Sequence, residues 1–264
     1  PAGRARPRVQ VEKAWAILSD GLPTPPHMSP HRLDLRRIRA ITLDLDDTLW
    51  PVWPTIARAE DALRDWLDHH APRTAALARD ADTARQARQA ARAAQAERLH
   101  DLGALRREAI RQLLLRAGED DALATPAFEI FLAARQRVTL FDDALPALAA
   151  LSARYPVVAL SNGNADVHRV GIGAYFRAAV SAADIGVGKP DARIFRAAAQ
   201  AAGVAESEVL HIGDDPRLDG HGALASGMQM AWVNRAGAPW PDDVAGQPHA
   251  EVGDLAALCA WLQA

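Results

Sequence analysis

The stretch ITLDLDDTLW, residues 41–50, places three carboxylates within four positions directly behind an apolar run. A carboxylate at the end of a strand can act as a nucleophile. Asp46, two residues after Asp44, can point toward the same space and act as a general acid and base. Like charges this close are unfavourable unless a cation lies between them, and all-oxygen ligands suit magnesium. The cluster is therefore a candidate catalytic centre with a bound Mg²⁺ ion.

Five short apolar runs must position these groups, and each is typical of a strand buried on both faces. The runs are IRAITLDLD from Ile38, PVVALSN from Pro156, AAVSAADI from Ala178, EVLHIGDD from Glu208 and MQMAWVN from Met228. Helical patterns such as DALPALAALSARY and DARIFRAAAQAAG lie between them, and the second ends at Gly203. Strands alternating with helices predict an α/β fold with a doubly wound parallel sheet.

Doubly wound sheets bind ligands at the carboxyl ends of their strands. Polar segments stand at that end of four of the five predicted strands, namely DLDDT, SNGN, VGKP and GDDPRLD. The sequence therefore predicts that these four segments meet in one site.

The chain between the first two predicted strands is too long for one crossover. Ala, Leu, Arg and Gln dominate this segment, with breaks near Pro72, Gly103, Gly118 and Pro126. This composition predicts an inserted subdomain of about four helices.

We therefore expect a catalytic core over residues 31–52 and 141–264 and a helical cap over residues 53–140. Residues 1–30 carry several prolines and an internal Met28. We interpret them as a flexible arm or an overlong start.

In order and spacing, the polar segments resemble the motifs of the haloacid dehalogenase (HAD) superfamily. Asp44-Leu45-Asp46-Asp47-Thr48 matches its DxDxT motif, Ser161 its second motif and Lys189 its third. The acidic fourth motif corresponds to Asp214, Asp215 and Asp219. The similarity extends over residues 38–235 and implies a Rossmann-like core with a helical cap after the first motif.

The resemblance implies phosphoryl transfer through an aspartyl phosphate on Asp44, with Asp46 as acid and base. It implies that Asp44, the backbone carbonyl of Asp46 and Asp214 hold Mg²⁺, with Asp215 and Asp219 mainly behind them. Ser161 and the backbone around Asn162 and Gly163 would donate to the phosphoryl oxygens. Lys189, one of two lysines among 30 basic residues, would place a compact charge between nucleophile and phosphate. Substrate contacts are expected from Thr48, Asn162, Gly163 and Trp53.

Several chemistries of this superfamily can be separated by residue type. Dehalogenases typically lack the second acid, so Asp46 favours a phosphatase. Phosphonate hydrolases need a cap lysine, and residues 53–140 contain none. A phosphatase acting on a small soluble phosphate is the resulting expectation.

A closer resemblance is to the bacterial HAD phosphatases that act on FMN and on 5-amino-6-(5-phospho-D-ribitylamino)uracil. It is carried by LDLDDTLW, LSNGNADV, GAYF, GKP with DARIF, and VLHIGDDPRLDGHGALASGMQMAWV. The sequence departs from that pattern at Gly220 and Trp50, and the cap differs most. A riboflavin-pathway phosphate is therefore the first expectation. Sugar phosphates, phosphoglycolate, nucleoside monophosphates and a non-catalytic phosphate-binding role are the alternatives.

Composition limits the other functions. The net charge of −3 gives no bias toward nucleic acid, and the single Cys259 fits a reducing cytoplasm. No apolar run approaches the roughly 20 residues that span a bilayer. We expect a cytoplasmic protein whose partner is a small-molecule phosphate rather than nucleic acid or a membrane. The sequence leaves the oligomeric state open.

Ordinary structural roles compete with several of these interpretations. Asp46-Asp47-Thr48 could be an ordinary turn with a helix cap when taken singly, and so could GDDP, residues 213–216. Ser161-Asn162-Gly163-Asn164 is also a good turn sequence. His211 is interpreted as a core histidine. Trp50, Trp53 and Trp66 fit core or cap packing better than substrate stacking, although Trp50 or Trp53 could reach the mouth of the site.

Overall fold

The computed structural model describes residues 33–263, so the predicted arm at residues 1–30 lies outside the described residues. Within that range a six-stranded parallel sheet has the order β3-β2-β1-β4-β5-β6. The strands are β1 Ala40–Leu43, β2 Val157–Ser161, β3 Ala178–Ser181, β4 Val209–Gly213, β5 Gln229–Val233 and β6 Ala250–Val252. Central β1 pairs with β2 and β4, with Ile41 opposite Val157 and Leu210. The predicted α/β fold with a doubly wound sheet is confirmed.

Two strand predictions need correction. Ala250–Val252 adds a sixth strand beside β5. The sequence did not predict it, because three residues are too few to show a strand pattern. The run from Ala178 is a strand only as far as Ser181 and lies at the sheet edge, where its residues are partly exposed. It stops there because the Ser181 hydroxyl accepts from the Asp184 backbone N–H and begins a short helix.

Helices cover both faces of the sheet and enclose two apolar layers. One face carries α6 Ala144–Ser152, α7 Val167–Val170 and α11 Leu255–Gln263; the other carries α8 Ala182–Ile185, α9 Ala192–Ala202 and α10 His221–Ala225. As predicted, α9 ends at Gly203, which adopts the left-handed conformation. The buried strands thus receive apolar contacts on each side, which fixes the positions of their carboxyl ends.

The cap contains five α-helices rather than the four that composition predicted. They are α1 Val52–His70, α2 Pro72–Arg79, α3 Ala81–Ala94, α4 Leu102–Ala117 and α5 Ala124–Arg135. The extra boundary is at Asp80, whose carboxylate accepts from the Thr83 N–H at 2.7 Å and caps α3 without any glycine or proline. Gly103 and Pro126 lie in first helical turns, where proline is tolerated.

The cap has its own apolar core between α1, α4 and α5. Leu67, Leu114 and Phe131 are almost completely buried there. This packing carries Arg135, at the end of α5, to a site that is 1% exposed. Within residues 33–263 no helix is both long and apolar enough to cross a membrane.

The carboxylate of Glu119 closes the amino end of α2. It accepts from the Arg73 N–H at 3.1 Å, the Thr74 N–H at 2.8 Å and the Thr74 hydroxyl at 2.5 Å. Burial alone would raise the pKa of Glu119, but these hydrogen bonds outweigh it and hold the pKa below its ordinary value. The stabilisation is therefore present at neutral pH and is lost as the pH falls through the lowered pKa.

We expect Glu119→Ala to lower the free energy of unfolding by about 1–2 kcal/mol at pH 7, the usual value of a helix cap. Urea unfolding followed by circular dichroism measures this, and the deficit should shrink at acid pH. Glu129→Ala, on the exposed surface of α5, is the matched control. An equal loss in the control would contradict the assignment.

Candidate active site

The predicted catalytic segments converge at the carboxyl edge of the sheet. Asp44 follows β1, Ser161 ends β2 and Asp214 follows β4. Asp44, Ser161 and Lys189 are 6%, 4% and 6% exposed, so the site is formed from buried polar side chains. Such groups require partners, and nearly all of them have one.

Lys189 is the central cation of the site. Its ammonium donates to Asp44 Oδ1 and, at 2.6 Å, to Asp219 Oδ1. The Asn162 side chain accepts from the Lys189 N–H at 2.7 Å and donates to the Lys189 carbonyl at 3.0 Å. Asn162, predicted to contact substrate, thus holds the backbone of Lys189 in this structure.

Asp219 is fixed from behind by His211. The His211 Nε2–H donates to Asp219 Oδ1 at 2.9 Å, which leaves Nδ1 to accept from the Thr42 hydroxyl at 2.9 Å. Burial lowers the pKa of His211, which favours the neutral ring. His211 lies fully buried in β4, as expected for a core histidine. Its role here is to orient Asp219.

Asp44, Asp214 and Asp219 form the acidic group that could hold a metal ion. One carboxylate oxygen from each lies within 4.8 Å of the others. Asp215 does not join them, because its carboxylate accepts from the Arg217 and Leu218 N–H groups and begins the next helical turn. The sequence predicted that Asp215 and Asp219 both lie mainly behind the ligands, whereas in this structure Asp219 joins the acidic group. That the Asp46 backbone carbonyl also binds the metal ion stays a prediction.

The charge balance of this group favours a divalent cation. Burial raises the pKa of Asp44 well above its usual range, and the Asp219 and Asp214 carboxylates add to the rise that Lys189 opposes. Burial, with Asp219, also raises the pKa of Asp214 to about 7. Lys189 and His211 outweigh burial at Asp219 and lower its pKa. Three carboxylates facing one ammonium are a donor set that fits Mg²⁺.

Thr48 connects two of these carboxylates. Its hydroxyl lies 2.9 Å from Asp214 Oδ1 and 3.3 Å from Asp44 Oδ2, and the residue is fully buried. The structure thus places Thr48 against the acidic group rather than at a substrate surface. Arg235 donates to the Thr48 carbonyl at 2.9 Å and fixes the loop from the core side.

Asp46 points away from the acidic group toward the cap. Trp50 Nε1 donates to Asp46 Oδ1 at 2.8 Å, and Arg135 Nη2 donates to Oδ1 and Oδ2 at 2.5 and 2.6 Å. Trp50, where the sequence departs from the family pattern, is completely buried. It is therefore a packing residue that also orients Asp46. Arg135 was not predicted, because no motif or spacing distinguishes it among the other cap arginines.

The turn that follows β1 holds both acids in place. Asp47 has φ 59°, a left-handed conformation that aspartate tolerates better than most residues. Its carboxylate accepts from the Val52 N–H at 2.8 Å and begins α1. The first motif and the first cap helix are therefore one continuous structural unit.

The loop after β2 lies across from Asp46. The Gly163 N–H donates to Ser161 Oγ at 2.9 Å, which leaves the Ser161 hydroxyl hydrogen for a further acceptor. A Cβ at Gly163 would lie 2.7 Å from Asp46 Oδ2, so only glycine fits. Gly163 therefore provides space beside the acid, and its predicted contact with phosphate stays a prediction.

A cavity of about 460 Å³ is lined by cap residues and, from the core, by Asn164 of this loop. Leu63, Leu105, Ile110 and Phe131 contribute apolar walls, Arg88, Arg92 and Arg106 contribute basic groups, and Asn164 belongs to the loop after Ser161. Trp53 is 76% exposed and does not line the cavity. Its predicted stacking on a substrate ring stays a prediction.

Comparisons with known proteins agree with this geometry. Residues 38–227 match the family model of the haloacid dehalogenase-like hydrolases. The chain is 34% identical over 237 residues to the 5-amino-6-(5-phospho-D-ribitylamino)uracil phosphatase YigB of Escherichia coli (strain K12), covering 86% of this chain and 98% of that protein. It is 35% identical over 159 residues to a phosphoserine phosphatase of Thermus thermophilus, covering 58% of this chain and 63% of that protein.

A solved structure of similar identity carries a different activity in its name. The 2-haloacid dehalogenase from Pseudomonas syringae pv. Tomato DC3000 superposes with a TM-score of 0.80 at 37% identity, covering 86% of this chain and 98% of that one. The family model covers most of the chain, and the residues of all four motifs stand at one edge of the sheet. The chain is therefore a hydrolytic enzyme that belongs to the haloacid dehalogenase-like hydrolases.

Proposed function

We propose that the protein is a magnesium-dependent phosphomonoesterase that acts through an aspartyl phosphate. The proposal rests mainly on one observation: Asp44 and Asp46 lie in separate environments. Asp44 faces Lys189 and the acidic group, whereas Asp46 faces the cap and Arg135. A nucleophile and a separate acid are the two protein groups that ester hydrolysis by this route requires.

The chemistry can be assigned to atoms of this chain. A carboxylate oxygen of Asp44 attacks phosphorus while Asp46 gives a proton to the departing oxygen of the ester. Water then attacks the phosphorus of the aspartyl phosphate and gives its proton to Asp46, which frees phosphate and restores Asp44. Lys189 holds Asp44 and offsets negative charge throughout, and the Ser161 hydroxyl is free to donate to a phosphoryl oxygen.

Asp44, Asp214 and Asp219 are the side chains that would hold Mg²⁺. When bound, the ion supplies positive charge for the phosphoryl oxygens and neutralises the carboxylates. Thr48, held between Asp44 and Asp214, keeps two of the donors at a fixed separation.

Asp46 also supports a phosphatase over a dehalogenase. Attack of Asp44 on a halogenated carbon expels halide, which needs no proton, so departure of the leaving group in that reaction does not require an acid. The similarity to two named phosphatases agrees with this interpretation. The similarity to a named dehalogenase makes the halide reaction the contrast that experiments should include.

For the substrate we propose FMN or 5-amino-6-(5-phospho-D-ribitylamino)uracil, and thus a role in riboflavin biosynthesis. The similarity to the phosphatase of the second compound supports this. The cap cavity supports an ester with a large body, because its volume of about 460 Å³ lies in the range of small-molecule sites. A cytoplasmic location and a small-molecule partner complete the proposal.

We expect Asp44→Asn to abolish phosphate release from p-nitrophenyl phosphate, with a loss of at least about 10³-fold, because no other group can form the covalent intermediate. Its melting temperature should stay within a few degrees of wild type or rise, since the amide keeps the shape and removes a like charge. Asp142→Asn, on the exposed surface near the core, is the control. A variant that keeps a tenth of the wild-type rate would rule out Asp44 as the nucleophile.

Chelation should stop turnover, and Mg²⁺ should restore it while Ca²⁺, with its looser coordination, should restore little. Mg²⁺ should also raise the melting temperature of the wild type, because it binds the folded acidic group. Asp214→Asn should remove that rise. Asp215→Asn should keep it, because asparagine still caps the following turn. The opposite result from the two variants would favour Asp215 as the ligand.

Leu105→Trp should fill the apolar part of the cavity and lower kcat/KM for FMN by about tenfold, equivalent to about 1.4 kcal/mol. Phosphoglycolate, which has no ring, should be affected less than about twofold. Leu115→Trp, on the exposed side of the same helix, is the matched control. Equal losses on both substrates would place the ester body outside the cavity.

The wild type should also be compared on a halogenated acid. Faster release of halide from 2-chloropropionate than of phosphate from any ester would overturn the phosphatase proposal.

A further inference from the structure

Arg135 is a buried cation of the cap whose contacts lie on the core. Its side chain is 1% exposed, and Nη2 donates to both oxygens of Asp46. The next residue, Gln136, donates to the Asn164 carbonyl at 3.1 Å and accepts from the Asp166 N–H at 2.7 Å. The end of the last cap helix is thus fastened to the loop after β2, and Arg135 is held in register with Asp46.

The guanidinium of Arg135 has one donor to spare. Nη1 is buried and has no hydrogen-bond acceptor among residues 33–263. A buried N–H without an acceptor costs about 1–3 kcal/mol, more for a charged group. The same guanidinium lies beside Gly163: a Cβ added at Gly163 would be 3.6 Å from Arg135 Nη2.

We propose that Arg135 positions Asp46 for proton transfer. This role rests on the proposed phosphatase function. The two hydrogen bonds from Nη2 hold the Asp46 carboxyl group in one orientation, both when it gives a proton to the leaving oxygen and when it takes one from water. Loss of that orientation slows both transfers, because proton transfer depends on placement within hydrogen-bond reach.

A positioning role predicts a dependence on the leaving group. Phenoxide departs slowly without a proton, whereas dinitrophenolate departs as a stable anion. The value of kcat/KM reports the first step, in which the leaving group departs, and kcat also includes hydrolysis of the aspartyl phosphate. A defect confined to Asp46 should therefore appear in kcat/KM for phenyl phosphate and not for dinitrophenyl phosphate.

The test compares wild type, Arg135→Gln and Arg135→Lys on these two esters, with Mg²⁺ present. For Arg135→Gln we expect kcat/KM to fall about 10²-fold on phenyl phosphate and less than about fivefold on dinitrophenyl phosphate. Dinitrophenol should appear in a burst of about one equivalent, because the second step is also slowed. Arg135→Lys, which keeps the charge without the fork, should recover part of the loss.

A double-mutant cycle separates this role from a structural one. In an Asp46→Asn background, Arg135→Gln should add little, because both changes act on the same proton transfer. The ratio between the two esters is independent of the folded fraction, so a less stable variant still gives a result. Arg58→Gln is the control, since Arg58 lies in the cap and donates to the Arg137 carbonyl at 2.8 Å.

Equal losses of kcat/KM on both esters, or no loss on either, would overturn the positioning role while leaving the phosphatase intact. A selective loss on phenyl phosphate that is additive with Asp46→Asn would show that Arg135 acts independently of Asp46 and would also overturn it. If the wild type hydrolyses neither ester, the proposed function fails and this role fails with it.

Discussion

Burial of negative charge at the carboxyl edge of the sheet is the constraint on which this structure depends. Asp44 and Asp219 are almost inaccessible, and both contact the single ammonium of Lys189, which offsets only part of their charge. A buried carboxylate without its partner costs several kcal/mol, so each of the three groups fixes the other two. The support extends outward through Asn162, which binds the Lys189 backbone, and through His211, which binds Asp219.

Close packing of backbone against these charged groups accounts for residues that carry no charge. A Cβ at Gly213 would lie 2.3 Å from the Asp219 carboxyl carbon, and one at Gly188 would lie 2.7 Å from Asn162 Oδ1. The departure from the family pattern at Gly220 has a similar cause, because a Cβ there would lie 2.3 Å from the ring of Trp240. The large aromatic ring occupies the space that an apolar side chain would fill, so the two positions compensate each other.

The sequence predicted the sheet, the convergence of the four motifs and the position of Lys189 beside Asp44. These features follow from a local pattern, namely short apolar runs followed by polar residues. The sequence did not predict the partners of Asp46. The Asp46–Arg135 contact joins residues 89 positions apart, and helical periodicity cannot indicate which of the cap arginines turns inward. For Asp215 the sequence left both a helix cap and a place near the metal open, because a helix-capping aspartate and a metal-binding aspartate have the same side chain. Only the backbone conformation after β4 distinguishes them.

The two acids of the first motif therefore depend on different parts of the chain. Asp44 receives its ion pair from Lys189 within the core, without a contribution from the cap. Asp46 receives its only cation among the described residues from the last cap helix. A reaction that needs the nucleophile alone could tolerate large changes in the cap, whereas a reaction that needs the acid requires the end of α5 to keep its position. The junction between cap and core therefore bears on the orientation of Asp46 and not on the contact between Asp44 and Lys189.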